Sequence, residues 1–188
     1  MTEHIIKKVL NNELKKYFSR LKKGKVLDIG AGDSPYKKFI AHTEYLTLDL
    51  KNADIECDFH KIKWKPDYFD IVIATEILEH AKNPEKVINE IYRVLKKGGV
   101  CVLSTRFLFH YHPHPEDYYR FTKDSLEDLF KKFSKTEIES HGNKFLVLWQ
   151  ILNTGRIGKL LNTFNPLIAK INYKSERFPM GFIVYAEK

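Results

Sequence analysis

The chain has 188 residues, of which 43% are hydrophobic and 30% charged, so its composition fits one globular domain over residues 1–188 and excludes an intrinsically disordered protein. The first residues carry no apolar signal-peptide segment, and no apolar run is long enough to cross a bilayer, so we expect a cytoplasmic protein. The two cysteines, Cys57 and Cys101, lack the spacing of a metal or redox motif, and we expect two reduced, buried thiols.

The net charge of +8 and the pI of about 9.3 raise the question of a polyanionic partner, such as RNA, DNA or an anionic membrane surface. Only six of the 32 basic residues are arginine, and the lysines are spread in pairs over the predicted helices. The sequence has no arginine-rich stripe with interleaved aromatic residues. This pattern favours a solvated, lysine-rich surface over a nucleic-acid footprint.

Strand-like and helix-like segments alternate along the chain. Residues 69–75 are almost wholly apolar, as expected of a strand buried on both faces. Ser34 with Pro35, and Asn83 with Pro84, are helix-start signals. The alternation predicts an α/β fold with a doubly wound, mainly parallel sheet, whose ligands bind beyond the carboxyl ends of the strands. The predicted helices are 3–22, 34–41, 84–96 and 123–133, and the predicted strands are 25–29, 44–50, a short one within 53–59, 69–75, 99–106, 135–142 and 182–188.

A long apolar segment, residues 143–171, stands between the last two predicted strands. Apolar residues recur in it at helical spacing, as in Phe145, Leu148, Trp149 and Leu152, which predicts a helical insertion. Polar residues interrupt the pattern, so the segment should not span a membrane. We interpret it as core cover or a homodimer interface. The alternative is a cap over a hydrophobic or lipid-linked substrate, or a peripheral contact with a membrane surface.

The segment VLDIGAGDSPY, residues 26–36, joins the first strand to a glycine turn. The turn Gly30–Gly32 lets a ligand approach the backbone closely. A dinucleotide-binding fingerprint would need a small residue where Pro35 stands, and Asp28 would repel a pyrophosphate. An ammonium group would instead be attracted by Asp28, and the N–H groups of the turn suit a carboxylate. S-adenosylmethionine carries both groups on its methionine part and has no phosphate.

Two further carboxylates follow strands in the order that such a cofactor requires. Asp49 ends the second strand, where a carboxylate that binds ribose hydroxyls belongs in a nucleotide site. Asp58 follows the third strand and is placed to accept a hydrogen bond from the adenine amino group. Together with Asp28 and the glycine turn, they predict a site for S-adenosylmethionine.

With these motifs the chain resembles the class I S-adenosylmethionine-dependent methyltransferases, and most of all their type 11 group. The resemblance covers about residues 24–140 and rests on VLDIGAGDSPY, YLTLDL, FDIVIATEILEHAKNPEKVINEIYRVLKKGG and GVCVLST. It implies a Rossmann-like, seven-stranded sheet whose last strand is antiparallel, with the helical insertion between strands 6 and 7. One departure is that Asp33-Ser34-Pro35-Tyr36 follows Gly32, where the family has a third small residue. The cofactor-binding residues assigned in this way are Asp28, Gly30, Ala31, Gly32, Tyr36, Asp49, Leu50, Asp58, Phe59 and Thr75.

The segment 107–122 follows the fifth strand and holds many ionisable and aromatic side chains in a proline-containing loop. Such a loop at the ligand end of a sheet is typical of a substrate lid. We predict catalytic roles for Glu76, which lies directly beyond the buried fourth strand, and for His112 as a general base. The predicted substrate-binding residues are His110, His114, Tyr118, Tyr119 and Arg120.

Several residues of this region have a structural alternative. Asp117 and Arg120 are also read as a structural ion pair that holds the loop. Glu79 and His80 are interpreted as organising the turn into the next helix, although the family resemblance places them beside the active site. We predict no metal, because prolines interrupt the alternating histidines and oxygen methyltransferases of this class usually need none.

Two hypotheses from different classes follow. The first is an S-adenosylmethionine-dependent methyltransferase that methylates oxygen or nitrogen of a small molecule and releases S-adenosylhomocysteine. The stretch HPHPEDYYRFTKDSLEDLF, residues 112–130, resembles a subset associated with polysaccharide or cell-envelope biosynthesis, which suggests a sugar or envelope precursor as acceptor. The alternative is an RNA-binding protein or RNA methyltransferase on the same fold, which the basic charge favours. A nicotinamide-dependent oxidoreductase is disfavoured by Asp28 and Pro35.

Overall fold

The computed structural model of the chain describes residues 2–113, 116–152 and 174–188. Seven strands form one sheet in the order β3-β2-β1-β4-β5-β7-β6. Neighbouring strands are parallel from β3 to β5, whereas β7 runs antiparallel to both β5 and β6, so the predicted sheet is confirmed. The strands are β1 (Gly24–Ile29), β2 (His42–Asp49), β3 (Ile55–Glu56), β4 (Phe69–Thr75), β5 (Leu95–Arg106), β6 (Lys135–His141) and β7 (Gly181–Glu187).

Helices cover both faces of the sheet. On one face α1 buries Leu10, Leu14 and Phe18 against β1 and β4. On the other face lies the larger core, to which α2 contributes Ile88 and Ile91. This two-sided burial explains why β4 reads as a continuous apolar run. The helices are α1 (Thr2–Phe18), α2 (Pro84–Val94), α3 (Lys123–Leu129) and α4 (Lys144–Leu152).

Helix α2 begins as its sequence predicts and ends earlier. The Asn83 side chain caps it by accepting a hydrogen bond from the Lys86 N–H at 3.0 Å, and Pro84 occupies the first turn. The prediction extended this helix to residue 96. The chain instead becomes extended at Leu95, because this buried side chain pairs with Phe69 of β4 and starts β5.

The predicted helix over 34–41 is wrong. Only a 3-10 turn, Lys37–Phe39, forms there, and its capping position is Tyr36 rather than Ser34. Ser34 precedes a proline, which disfavours the helical conformation, and it has a φ of 48°. The buried Tyr36 ring packs on Phe18 with a centroid distance of 5.3 Å. The glycine turn is therefore followed by further turns, and a ligand there meets loop N–H groups rather than a helix N-terminus.

The start of the insertion is helical, as predicted. Helix α4 packs on α1 through Leu146, which lies in a small core with Ile5, Ile6 and Met180. Residues 153–171 lie outside the described residues, so the dimer-interface, cap and membrane-contact interpretations stay predictions. No helix in the described part of the chain has the length and apolar character needed to cross a membrane.

Candidate active site

A cavity of about 650 Å³ opens at the carboxyl ends of β1, β4 and β5, beside α1. It brings together six residues predicted from the sequence: Gly30, Ala31, Gly32, Tyr36, Thr75 and Glu76. Lys7, Leu10 and Arg106 also line it and were not among the predicted site residues. Their sequence signal is weak, because a lysine in a helix and an arginine at a strand end are common anywhere.

The glycine turn needs its glycines. Gly30 has a φ of 66°, and a Cβ there would lie 2.4 Å from Cγ2 of Ile77. Its N–H donates to the Leu48 carbonyl at 2.8 Å, which ties the turn to β2. Gly32 has a φ of 48°, and no atom of the described residues lies within 4 Å of its Cβ position, so this side of the turn is open to a ligand.

Asp28 lies behind the turn rather than in the cavity wall. The residue is 1% exposed, and its Oδ2 accepts a hydrogen bond from the Tyr45 hydroxyl at 2.6 Å. Burial raises the pKa of Asp28 to about 6, although the hydrogen bond from Tyr45 acts in the opposite direction. A carboxylate ionised in so apolar a place is costly for the fold. A positive charge on a bound ligand would relieve that cost.

The residues predicted for the nucleoside lie at the neighbouring strand ends, outside the cavity lining. Asp49 is half-buried at the end of β2, and its Oδ1 accepts from the Leu50 N–H at 2.7 Å. Leu50 is 56% exposed, and Phe59 is half-buried. These residues form an open edge of the sheet next to the glycine turn, on the side of β2 and β3.

Asp58 is held by a neighbouring histidine. Its Oδ1 accepts hydrogen bonds from Nδ1 of His60 at 2.6 Å and from the His60 backbone N–H at 2.8 Å. Nε2 of His60 accepts from the Asn83 N–H at 3.2 Å, which places the ring proton on Nδ1. Burial opposes ionisation of Asp58, but the His60 hydrogen bonds outweigh it and lower the pKa. Its side chain is still 62% exposed and accessible to a ligand.

Glu76 is engaged on both carboxylate oxygens. Oε1 accepts from the Ser104 hydroxyl at 2.8 Å, and Oε2 forms an ion pair with Nε of Arg106. The backbone of Glu76 has a φ of 56°, and its N–H donates to the Ser104 carbonyl at 2.9 Å. A left-handed backbone conformation at a non-glycine residue costs free energy, and residues with this conformation occur often at functional sites. These contacts favour a role for Glu76 in positioning Arg106 over a role in proton transfer.

Glu79 is a buried carboxyl that also faces Arg106. It is 0% exposed; its Oε2 accepts from the Thr105 hydroxyl at 2.9 Å, and its Oε1 lies 3.8 Å from Nε of Arg106. Burial first, and the nearby Glu76 charge second, raise its pKa well above the ordinary value. The Glu79 carbonyl accepts hydrogen bonds from the N–H groups of Tyr118 and Tyr119, so the residue also holds the 107–122 loop.

Arg120 is part of a structural ion pair, which was the alternative interpretation of its sequence position. Its guanidinium forms two hydrogen bonds with Asp117, at 2.5 and 2.6 Å. It also donates to the carbonyls of Phe109, His110 and Tyr119, at distances of 2.7 to 3.3 Å. The Arg120 hydrogen bonds hold the pKa of Asp117 well below its ordinary value. These contacts fold the 107–122 loop and occupy the donors that a substrate would need.

His112 lies in the same loop, next to Asp117. Its Nδ1 is 3.4 Å from Oδ2 of Asp117, and its backbone N–H donates to that oxygen at 2.9 Å. The ring packs against His80 and Phe109, each at a centroid distance of 5.0 Å. Burial lowers the pKa of His112, although Asp117 opposes this, so the ring is neutral at pH 7 and able to accept a proton.

The other predicted loop residues have different placements. His110 stacks on Phe109, at a centroid distance of 4.4 Å, and is exposed, while His114 lies outside the described residues. Tyr118 and Tyr119 are 46% and 42% exposed, and present aromatic surface to solvent. Glu79, His80 and His112 bring possible ligand atoms within 4.8 Å of one another. However, Oε2 of Glu79 already accepts from Thr105, and Nδ1 of His80 contacts the Glu116 carbonyl.

A second cavity, of about 730 Å³, is lined mainly by apolar side chains. Phe109 of this cavity stacks on the guanidinium of Arg106, which lines the first cavity, with 3.9 Å between the guanidinium and the ring centroid. The residues that line it are Phe107, Leu108, Phe109, His110, Val147, Gln150 and Ile151.

Comparison with known proteins agrees with this geometry. Residues 27–103 match the family model of a methyltransferase domain. The match covers the second half of β1, strands β2 to β4 and most of β5. Over residues 27–103 the chain is similar to methyltransferase domains.

The chain is 46% identical over 103 residues to the ubiquinone biosynthesis O-methyltransferase of Psychrobacter cryohalolentis, an alignment that covers 43% of this chain and 40% of that protein. It is 33% identical over 98 residues to the sterol 24-C-methyltransferase of Aspergillus fumigatus, over 40% of this chain and 26% of that protein. The chain therefore spans about a quarter to two fifths of the length of these relatives.

Solved structures share the whole fold at lower identity. A phosphoethanolamine N-methyltransferase of Haemonchus contortus in complex with S-adenosylmethionine superposes with a TM-score of 0.64 at 19% identity, covering 95% of this chain and 52% of that one. An S-adenosylmethionine-dependent methyltransferase of Archaeoglobus fulgidus superposes with a TM-score of 0.62 at 15% identity, covering 100% and 95%. At such identities the similarity concerns the fold.

Proposed function

We propose that this chain transfers the methyl group of S-adenosylmethionine to a small-molecule acceptor. The observation that carries the proposal is the cavity in which an open glycine turn meets the ends of β4 and β5. This is the place where parallel α/β sheets bind ligands. The S-adenosylmethionine and S-adenosylhomocysteine bound to structural neighbours support the choice of cofactor.

In this proposal the methionine part of the cofactor lies on the glycine turn, beside Tyr36 and Thr75. The buried charge of Asp28 stabilises the cofactor's ammonium group across the turn, directly or through water. Asp49 binds the ribose and Asp58 the adenine, and Leu50 and Phe59 flank them. The position of these residues at the ends of β1, β2 and β3, in this order along the sheet, supports the assignment.

The reaction is a displacement at the methyl carbon attached to the sulfonium. The C–S bond breaks as the bond to the acceptor atom forms, and S-adenosylhomocysteine leaves as a neutral thioether. Since the leaving group is already good, the protein mainly has to align the two reactants and exclude water. When the nucleophile is a hydroxyl, its proton needs a base. His112, neutral and adjacent to Asp117, is the base that we propose.

For the acceptor we propose a sugar or cell-envelope precursor, on the similarity of residues 112–130 to methyltransferases of that kind. The exposed rings of Tyr118 and Tyr119 offer surfaces on which a sugar ring can stack. The ubiquinone and sterol methyltransferases named above act on other small molecules, and their similarity supports the broader class only.

The test has two steps. Calorimetric titration should show micromolar binding of S-adenosylhomocysteine and none of NAD. Transfer of labelled methyl groups should then be screened with sugar nucleotides and lipid-linked glycans as acceptors. Absence of S-adenosylhomocysteine binding would refute the proposal. RNA binding that weakens steeply with salt would instead favour the nucleic-acid alternative.

A further inference from the structure

The guanidinium of Arg106 is a fixed feature of the cavity wall. Its side chain is only 12% exposed. Nε is paired with Glu76, and Oε1 of Glu79 lies 3.8 Å from it. The flat face of the guanidinium stacks on Phe109, 3.9 Å from the ring centroid. Contacts on one edge and one face leave the group little freedom to turn.

The Nη1 donor of this group is not used by the described part of the protein. Nη1 is buried from solvent and has no hydrogen-bond partner among the residues that the structure describes. A buried donor without a partner costs free energy, and more so when it is charged. Because Arg106 lines the cavity, a bound ligand is placed to supply the missing acceptor.

The strand order places Arg106 on the acceptor side of the cavity. The glycine turn follows β1, and Arg106 ends β5, with β4 between the two strands. Two strand spacings therefore separate the backbones of β1 and β5 by about 10 Å. The backbone of Arg106 therefore lies on the far side of β4 from the glycine turn. In the proposed function, the space on that side of β4 is where the acceptor binds.

We propose that Arg106 is a specificity-determining residue that binds an anionic oxygen of the acceptor, as in a carboxylate, a phosphate or an ionised hydroxyl. The proposal rests on the proposed function. The positive sulfonium of the cofactor, and Lys7 on the same cavity, add to the attraction for an anion. The guanidinium repels a protonated amine, so among acceptors it selects acidic molecules over basic ones.

The experiment measures anion binding to the full-length chain saturated with S-adenosylhomocysteine. Benzoate and inorganic phosphate serve as anionic probes, and benzamide as the uncharged probe, in NMR titrations that follow weak binding. The variant is Arg106→Gln, and Arg20→Gln is its matched control. Arg20 lies beyond the opposite end of the sheet, where it pairs with Glu137. Arg106→Lys, which keeps the charge and loses the planar fork, is the second variant in case Arg106→Gln does not fold.

We expect at least one anion to bind the wild-type complex more tightly than benzamide does. Arg106→Gln should weaken this binding at least tenfold, the scale of one charge-assisted hydrogen bond, and Arg106→Lys should weaken it less. Arg20→Gln should bind as the wild type does. The affinity of all variants for S-adenosylhomocysteine should stay within about threefold. The tighter anion, benzoate or phosphate, identifies the acidic group of the acceptor.

Two results would overturn the proposal for Arg106 and leave the proposed function intact. One is anion binding that is absent, or equal in the wild type and Arg106→Gln. The other is a tenfold loss of S-adenosylhomocysteine affinity in Arg106→Gln, which would assign the guanidinium to the cofactor. Failure of the wild-type chain to bind S-adenosylhomocysteine would overturn the proposed function and this inference with it, so the two failures are distinguishable.

Discussion

The buried carboxylate of Asp28 should destabilise the protein at neutral pH, and Asp28→Asn should remove that cost. Burial raises its pKa from the ordinary 3.8 to about 6. Since one pKa unit corresponds to about 1.4 kcal/mol, ionised Asp28 lowers the free energy of unfolding by about 3 kcal/mol. The asparagine carbonyl is still able to accept the hydrogen bond of the Tyr45 hydroxyl.

The pH dependence of the free energy of unfolding shows the direction of this effect. The folded protein binds the Asp28 proton more tightly than the unfolded chain does. Wild-type stability therefore falls as pH rises from about 4 to beyond 6, relative to the variant, and the difference is constant above that range. The contributions of the other titrating groups are the same in both proteins and cancel in the difference between their unfolding free energies. At pH 7.5 the pH-dependent gain of about 3 kcal/mol should raise the melting temperature of Asp28→Asn by about 6 to 12 °C for a domain of this size.

Urea unfolding at pH 4, 5, 6 and 7.5, followed by circular dichroism, measures the difference between the two proteins. Asp128→Asn is the matched control, because its side chain is 74% exposed, and it should show no such pH dependence. A difference that is the same at pH 4 and pH 7.5, or an Asp28→Asn variant that is less stable at pH 7.5, would contradict the reasoning. The more stable variant should also bind S-adenosylhomocysteine at least tenfold more weakly, the trade-off expected of a strained functional group.

Three other changes test the remaining parts of the site. Asp49→Ala should weaken S-adenosylhomocysteine binding by about ten- to a hundredfold in calorimetry, the scale of 1.5 to 3 kcal/mol for charge-assisted hydrogen bonds, and wild-type affinity would remove Asp49 from the site. His112→Ala should reduce turnover at least tenfold with unchanged cofactor affinity, so undiminished turnover on a hydroxyl acceptor would exclude it as the base. Gly30→Ala should lower the free energy of unfolding by about 2 kcal/mol or more. The new Cβ would clash with Ile77, and alanine disfavours the left-handed φ of this position. Gly98→Ala is the matched control, because Gly98 has a left-handed φ but no described atom within 4 Å of its Cβ position. Equal losses of unfolding free energy in the two variants would show that the Ile77 contact costs nothing.

Local sequence patterns were sufficient to predict most of the fold. Phe69–Thr75 was predicted to the residue, since an apolar run bounded by polar residues has one interpretation as a buried parallel strand. Asp49 and Thr75 end their strands where the sequence placed them. The helix over 34–41 was mispredicted because Ser34-Pro35 is a start signal in isolation. In the folded chain, packing of Tyr36 on Phe18 accompanies a run of turns instead.

The sequence by itself determined the α/β architecture and the order of polar groups along the strand ends, because both depend on periodicity and on residue types that are neighbours in the chain. Only the tertiary structure decided which of these groups meet. Glu76 and Arg106 are paired because β4 and β5 are adjacent and parallel, so that residues 30 positions apart share one edge of the sheet. Burial raised the pKa of Glu79. The fold also brought the donors of Arg120 to Asp117, and it left Nη1 of Arg106 without a hydrogen-bond partner among the described residues.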